Sequence, residues 1–234
     1  MSGPTFAVLL QWRARRPITR AQLDAVAAAL NTQVTHLRER WPDVRHAEVT
    51  ADPVKAHAHA APPWPMVVMD HSSAGLGVHL DTHGHPYAEV SATSDWSVTA
   101  SHELLEMLID PYGRKFKTGP SVDPTDDGQI VRYLVEVGDP VEAISYEIDG
   151  VRVSDFVTPD WYDVHAAGPW SYTGSADRAL HVLDGGYVSW IGPDGHWHQL
   201  LPDGTFNRSQ RPAAEGGGRD DRDDALGADA DGDG

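Results

Sequence analysis

One segment near the middle of the chain places a histidine and three acids at helical spacing. Its sequence is SHELLEMLIDP, residues 101–111. His102 and Glu106 are four residues apart, so the 3.6-residue period of an α-helix stacks both on one face. Asp110 lies one further turn along, and Glu103 lies about 100° around the helix axis from His102. The spacing therefore predicts a helix that presents imidazole and carboxylate groups together.

These residue types at this spacing are typical of a metal-dependent hydrolase. In the motif H-E-x-x-H two metal ligands stand at i and i+4, and the intervening glutamate is the general base for a metal-bound water. Here the second ligand position is Glu106, which gives H-E-x-x-E. We expect His102 and Glu106 to bind a metal and Glu103 to activate the metal-bound water. Imidazole and carboxylate ligands suit zinc, or manganese or iron with more oxygen ligands.

Repulsion within the segment also favours a bound cation. Glu103, Glu106 and Asp110 repel one another, and Asp110 faces the negative end of the helix dipole before Pro111 ends the helix. A divalent metal compensates all three carboxylates at once. The alternative is an amphipathic helix whose acids face water and whose leucines and isoleucine face the core.

The residues leave the third metal ligand open between two carboxylates. Asp110 lies near the face of His102 and Glu106, and we place it slightly ahead. Glu136 lies at the end of an apolar strand predicted over residues 130–137, where a buried carboxylate needs a partner. A salt bridge from Glu136 to Arg132 or Arg152 is the other interpretation, because buried acids are usually paired.

Three further histidines lie in or beside a predicted β-hairpin. Residues 77–81 and 87–91 alternate in polarity around a turn at Gly84. His79, His83 and His85 could bind metal, but two of them fall at the turn, where little fixes their geometry. We therefore interpret the three as exposed polar residues.

The remaining pattern predicts an alternation of strands and helices. Thr19 is the expected N-cap of a helix over residues 19–41, and Ser97 of the helix that carries the motif. Residues 113–128 are rich in Gly, Pro and Asp and predict a loop. Single strands are predicted over residues 5–12, 66–69 and 130–137. Residues 144–148 and 151–157 are predicted to form a hairpin, and residues 186–191 and 196–200 a last strand pair.

Composition and charge exclude several classes of function. The net charge is −17, and residues 212–234 carry eight acids against two arginines, a net of −6 that leaves −11 on the rest. Such a surface disfavours nucleic acid and anionic membranes, which need a basic footprint. We expect one domain over residues 1–211 and a disordered acidic tail over 212–234. With 234 residues, one substantial core is feasible.

The N-terminus and the cysteine content bear on the compartment. Residues 1–13 lack a basic region and a small-residue cleavage site, so no signal peptide is predicted. The chain contains no cysteine, which excludes disulfides, thiolate metal sites and cysteine nucleophiles. We expect a cytoplasmic protein, with signal-independent export or packaging in a larger particle as alternatives.

Over roughly residues 75–200 the chain resembles an uncharacterised family of zincin-like metallopeptidase sequences. The shared helix is S-H-E-x-x-E-x-x-x-D-P, followed here by Glu136–Pro140 as E-x-x-D-P and by residues 153–159, VSDFVTP. The resemblance implies an α+β, zincin-like fold, a mixed β-sheet packed on a catalytic helix with C-terminal β-hairpins. It implies zinc-dependent cleavage of a peptide or protein substrate. Glu106 replaces the second zincin histidine, and Tyr112 stands where metzincins have a third.

The zincin arrangement suggests where a peptide would bind and which side chains could stabilise the oxyanion. In a zincin arrangement an edge strand beside the catalytic helix accepts an extended peptide, and residues 87–91 are the natural candidate. The group that stabilises the oxyanion could be Tyr112, Tyr146, Tyr162 or His165. The alternative to a zinc peptidase or amidase is a non-enzymatic structural or particle-associated protein on the same scaffold, which the acidic tail and the missing second histidine favour.

Overall fold

The chain forms a mixed α and β structure with two five-stranded sheets, which confirms the α+β class. The computed structural model describes residues 6–208, so the predicted acidic tail, residues 212–234, lies outside the described residues. The helices are α1 (Arg20–Arg40), α2 (Pro53–Ala56) and α3 (Trp96–Ile109). The strands are β1 (Phe6–Trp12), β2 (Ala47–Thr50), β3 (Trp64–Met69), β4 (Gly77–Thr82), β5 (His85–Ser91), β6 (Phe116–Pro120), β7 (Ile130–Leu134), β8 (Ser145–Ile148), β9 (Val151–Ser154), β10 (Val188–Ile191), β11 (Trp197–Leu200) and β12 (Phe206–Arg208).

The first sheet has the order β2-β1-β3-β5-β4, with β4 antiparallel to β5 and all other neighbours parallel. Alternate residues of β1 point to opposite faces. Phe6, Val8 and Leu10 enter the main core, while Ala7 and Leu9 pack with Ala56 of α2. Helices cover both faces of this strand, which explains its uninterrupted apolar sequence.

The N-terminus of α1 is capped as the sequence predicts. The Thr19 side chain accepts the backbone N–H of Gln22, and the Gln22 side chain accepts the backbone N–H of Thr19. This capping box satisfies two of the donors that a helix leaves unpaired at its start. No helix among residues 6–208 combines the length and hydropathy needed to cross a membrane.

Helix α3 packs against β3, β4 and β5 of the first sheet and against β9. Ser101 fixes one of these contacts, because its hydroxyl accepts the backbone N–H of Ser154 at 2.6 Å and donates to the carbonyl of Val98. Ser97 is not the N-cap that we predicted. The helix begins at Trp96, and the Ser97 hydroxyl donates instead to the carbonyl of Arg152.

The prediction that residues 87–91 form an edge strand was wrong. Residues 87–91 belong to β5, which is hydrogen-bonded to β3 on one side and to β4 on the other. Strand β4 forms the end of the sheet. The hairpin itself is confirmed, but sequence alternation cannot tell which of its two strands joins the sheet interior, because both alternate in the same way.

The second sheet is antiparallel throughout, in the order β12-β11-β10-β7-β6. Strand β6 lies in residues 113–128, which we predicted to be a loop; its Phe116 pairs with Leu134 of β7. Strands β8 and β9 form the predicted hairpin, with Asp149 and Gly150 at positive φ in its turn. Buried side chains from both large sheets, α1 and α3 form one continuous core.

Candidate metal centre

Two histidines and five acids from three parts of the chain converge beside α3. His102, Glu103 and Glu106 lie on α3, and His79 lies on β4. The other acids follow β7, in the segment from Glu136 to Glu142 that includes Asp139. All except the half-buried Glu142 are at most 7% exposed. Burial of so many ionisable groups in one place demands compensation, since unpaired charges are costly away from water.

The His102 ring is surrounded by carboxylates. Its Nε2 atom lies 3.2 Å from Glu106 Oε1 and 3.2 Å from Asp139 Oδ1, and its Nδ1 atom lies 3.0 Å from Glu142 Oε2. The i, i+4 spacing brings His102 and Glu106 together as predicted. The sequence did not single out Asp139 or Glu142, although Asp139 lies in the E-x-x-D-P segment.

Gly138 allows the segment after β7 to approach α3 closely. Its backbone N–H donates to Glu106 Oε1 at 3.0 Å. A Cβ atom at this position would stand 2.5 Å from His102 Nδ1, well inside van der Waals contact. Glycine is therefore required here by the imidazole ring and not by an unusual backbone angle, because the φ of Gly138 is −83°.

His79 is a member of the cluster, against our expectation that it is exposed. The side chain is 1% exposed. Its Nδ1 atom lies 3.5 Å from Glu103 Oε2 and 3.7 Å from Glu106 Oε2, and its Nε2 atom lies 3.8 Å from Glu136 Oε2. Position 79 is within β4 and not at the turn, and its face of the strand is covered by α3.

The two other hairpin histidines do not reach the cluster. His83 is exposed at the turn with a φ of 53°, and a ring nitrogen of His85 lies 3.2 Å from the carbonyl oxygen of Pro63. The prediction of an exposed turn residue is confirmed for His83, whereas His85 is half-buried as the first residue of β5.

The two candidates for the third ligand have different surroundings. Both carboxylate oxygens of Asp110 accept backbone N–H groups, from Arg114 at 2.9 Å and from Lys115 at 2.7 Å, in the turn after α3. Glu136 points into the cluster, where its carboxylate oxygen, a His79 nitrogen and a Glu106 oxygen lie within 4.8 Å of one another.

The arginines that we considered as partners of Glu136 lie in other contacts. Arg152 forms an ion pair with Asp95 at 2.6 Å. The Arg132 guanidinium lies over the Phe116 ring, 4.9 Å from its centroid. These contacts favour the cluster over the salt-bridge interpretation for Glu136.

The carboxylates change the ionisation of both histidines. Burial alone would lower the pKa of His102, but the charges of Glu106 and Glu142 and the hydrogen bond to Asp139 outweigh it and raise this pKa well above its ordinary value. For His79, burial is likewise outweighed by the hydrogen bond to Glu103 and the charge of Glu106, so its pKa is also raised. Both rings therefore compete for protons with any cation that binds them.

The two glutamates of the motif are shifted in opposite directions. Burial raises the pKa of Glu103, although the hydrogen bond to His79 opposes it. Burial also acts to raise the pKa of Glu106, but the charge and hydrogen bond of His102 overcome it and lower this pKa. Neighbouring carboxyls with opposite shifts are suited to different tasks, one to holding charge and one to exchanging a proton.

A cavity of about 210 Å³ connects the cluster to the surface between β4 and α3. Two tyrosines named as oxyanion candidates do not line this cavity: Tyr112 is 39% exposed, and the Tyr146 hydroxyl is 3.2 Å from a His36 ring nitrogen. His165 is exposed, and Tyr162 is buried. The cavity is lined by Ala74, Leu76, Gly77, Val78, His79, Val98, Thr99, His102, Glu103, Glu106, Glu142 and Tyr187. Tyr187 is thus a tyrosine that the sequence did not single out.

The donor atoms fit a divalent cation. His79, Glu106 and Glu136 form one group and His102, Asp139 and Glu142 another, and within each group one ligand atom per residue lies within 4.8 Å of the others. Imidazole with carboxylates is a common ligand set for zinc, manganese and iron. Two ligands on one zinc at bonds of ~2.0–2.2 Å stand roughly 3.3 Å apart, close to the 3.2 Å found around His102 Nε2.

The chain matches no protein-family model, no curated protein and no solved structure in the comparisons made. Conclusions about its function therefore depend on the geometry of the cluster and on the chemistry of its residues.

Proposed function

We propose that this protein is a divalent-metal-dependent hydrolase of peptide or amide bonds, with zinc as the first candidate metal and manganese or iron as alternatives. One observation carries the proposal: imidazole and carboxylate donors converge beside a cavity that is lined by members of both donor groups and by Glu103. The antiparallel β4 beside α3 supports the zincin-like architecture that the sequence resemblance implies.

The metal would be held by His102 and Glu106 of α3 together with a carboxylate from the segment after β7. A divalent cation in such a site polarises a scissile carbonyl and lowers the pKa of water. The backbone N–H of Gly138 fixes the orientation of the Glu106 carboxylate. Contacts of this kind around metal ligands are expected to raise metal affinity.

Glu103 is suited to the role of general base. It lines the cavity, and burial raises the pKa of its carboxyl, which makes it a better proton acceptor than an ordinary glutamate. In hydrolysis, Glu103 accepts a proton from water as the water oxygen bonds to the carbonyl carbon. The same carboxyl then returns the proton to the leaving nitrogen as the carbon–nitrogen bond breaks.

Strand β4 gives a rationale for a peptide substrate. It is the last strand of the first sheet and contributes Gly77, Val78 and His79 to the cavity wall. An extended peptide can add to a sheet edge through main-chain hydrogen bonds. A peptide that pairs with β4 would pass along the cavity next to Glu103.

The test compares the parent protein with Glu103→Gln, both purified without a histidine tag and loaded with zinc or manganese. The substitution keeps side-chain size but removes the proton acceptor. We expect cleavage of a peptide library to fall by ~10²–10⁴-fold, which is typical for loss of a general base. Metal content and melting temperature should remain near those of the parent.

Glu147→Gln is the matched control, because Glu147 is exposed on β8 and the charge change is the same. It should cleave like the parent. Equal cleavage by the Glu103 variant would show that this mechanism is wrong. Metal binding without cleavage of any peptide by the parent would favour the non-enzymatic alternative, in which the ion stabilises a structural or particle-associated protein.

A further inference from the structure

We propose that the cluster binds two divalent cations, one on His79, Glu106 and Glu136 and one on His102, Asp139 and Glu142. The proposal rests on the proposed function in so far as that function requires metal, and it adds a second ion that the helix motif does not predict. Each group offers one imidazole and two carboxylates.

Glu106 lies between the two groups and contacts both histidines. Its Oε1 atom is 3.2 Å from His102 Nε2, and its Oε2 atom is 3.7 Å from His79 Nδ1. A carboxylate that presents one oxygen to each of two imidazoles is placed to bridge two cations. Paired metal ions in hydrolytic sites lie ~3.5–4 Å apart, a separation that one carboxylate can span.

The balance of charge favours two ions over one. The cluster contains five carboxylates, those of Glu103, Glu106, Glu136, Asp139 and Glu142, and two imidazoles. The five carboxylates together carry up to −5, of which one divalent ion offsets two charges and two ions offset four. Since isolated buried charge is expensive, the second ion removes most of the remaining cost.

The Tyr162 hydroxyl is an independent sign of a ligand in the cluster. Its side chain is 3% exposed, and its oxygen has no hydrogen-bond partner among residues 6–208. Burial raises the pKa of this hydroxyl, and so do the nearby charges of Glu136, Asp139 and Glu106. A buried donor near these carboxylates is expected to have a partner, and an oxygen ligand held with the cations would supply it.

The experiment measures metal stoichiometry and does not depend on activity. The full chain is stripped of metal, incubated with Mn²⁺, freed of excess by gel filtration, and analysed by elemental analysis and by electron paramagnetic resonance. We expect two Mn²⁺ per chain and a spectrum of exchange-coupled ions. Two variants should each retain one ion and give an uncoupled six-line spectrum: His79→Gln, and the double variant Asp139→Asn with Glu142→Gln.

The milder variant Glu142→Gln protects the test against misfolding, because Glu142 is 35% exposed at its side chain. It should lower the metal-free melting temperature only slightly, because the lost charge is partly exposed although it pairs with His102. It should bind the second ion more weakly, by ~10–100-fold, as expected for a lost or weakened ligand interaction. Glu147→Gln serves as the control and should bind two ions.

Each stoichiometry has a distinct meaning. Two coupled ions in the parent and one in each variant support the proposal. One ion in the parent overturns it and leaves the single-metal hydrolase intact. No bound ion overturns both. Two ions in the parent that both survive in the double variant would place the second site elsewhere, which also overturns this assignment.

Discussion

Two acids one helical turn apart, Glu106 on α3 and Asp110 directly after its last residue, have different surroundings. Glu106 is oriented by the Gly138 N–H and lies against His102, whereas Asp110 accepts two backbone N–H groups of the turn that follows the helix. Helical spacing alone would allow either acid to bind a metal, but their hydrogen-bond partners in the structure differ. We therefore infer that Asp110 stabilises the turn and that Glu136 belongs to the ligand set with His79 and Glu106.

A pair of substitutions separates these roles at the level of single residues. Asp110→Asn keeps one acceptor oxygen but loses a charged hydrogen bond, so the free energy of unfolding should fall by about 1–3 kcal/mol. Its metal stoichiometry should equal the parent's. Glu136→Gln should instead lower metal affinity at least ~10-fold with a smaller change in metal-free stability.

Chemical denaturation of the metal-free proteins measures the free energy of unfolding, and titration with Zn²⁺ measures the metal affinity. The reverse result, with metal affinity lost in Asp110→Asn and retained in Glu136→Gln, would restore Asp110 as the third ligand.

At the level of elements, the site depends on how α1, α3 and β4 are held in place. Helix α1 buries Leu30, Val34 and Leu37 in the core that α3 also enters. Its start is fixed by the capping box of Thr19 and Gln22. Side chains at the centre of α1 pack beside β8 and β9, and the Gln33 amide donates to the carbonyl of Ser154 at 2.8 Å.

Removal of the cap should destabilise the protein without changing the site. We expect Thr19→Ala to lower the free energy of unfolding by about 1 kcal/mol, within a usual range of ~0.5–2 kcal/mol for such caps. Thr32→Ala is the matched control, since Thr32 is exposed within α1 and alanine favours the helix interior. Urea unfolding should therefore show a loss only for the first variant; equal midpoints for both would contradict the role of the cap.

At the scale of the whole molecule, the cluster joins parts of the chain that belong to different sheets. His79 comes from the first sheet, and Glu136 and Asp139 follow β7 of the second. A bound cation would therefore link the two sheets through α3. Metal should stabilise the folded chain as a unit, because a ligand that binds only the folded state shifts the unfolding equilibrium.

The pH dependence of stability should differ between metal-free and metal-loaded protein. In the metal-free chain the pKa values of His79 and His102 are raised, so their stabilising contribution is complete below about pH 6.5, the unfolded value, and is lost as pH rises through the folded values. The raised pKa of Glu103 acts in the same direction. The carboxyls of Glu106 and Glu142 have lowered pKa values, and their contribution is already complete above about pH 4.5.

We therefore expect the melting temperature of the metal-free protein to fall as pH is raised above 6.5, with a smaller fall in His102→Gln.

Zinc at about 100 times its dissociation constant should add about 2.7 kcal/mol to the free energy of unfolding, or roughly 5–11 °C to the melting temperature for a chain of this size. At a zinc concentration held constant across the pH range, the gain should be larger at pH 8 than at pH 6, since metal binding requires neutral imidazole and the dissociation constant therefore falls as pH rises. Calorimetry over this pH range measures both trends, and a metal gain that is constant with pH would contradict histidine ligation.

The sequence alone determined the local elements and the core of the candidate site. Helical spacing fixed His102 and Glu106 on one face of α3, and the polarity patterns placed α1, the β4–β5 hairpin and the β8–β9 hairpin. These features depend on periods of 3.6 and 2 residues and on turn and cap residues, which act over short distances along the chain.

The tertiary structure decided which distant residues join the site. His79 joins the cluster because it lies on β4, the end strand of the first sheet, which packs against α3. Gly138 lets the segment that carries Asp139 and Glu142 approach His102. The sequence placed Asp110 slightly ahead of Glu136 as the third ligand, whereas in the structure Asp110 accepts two backbone N–H groups and Glu136 lies with His79 and Glu106. Such choices follow from the packing of segments far apart in the chain, and no local period of the sequence records which faces will meet.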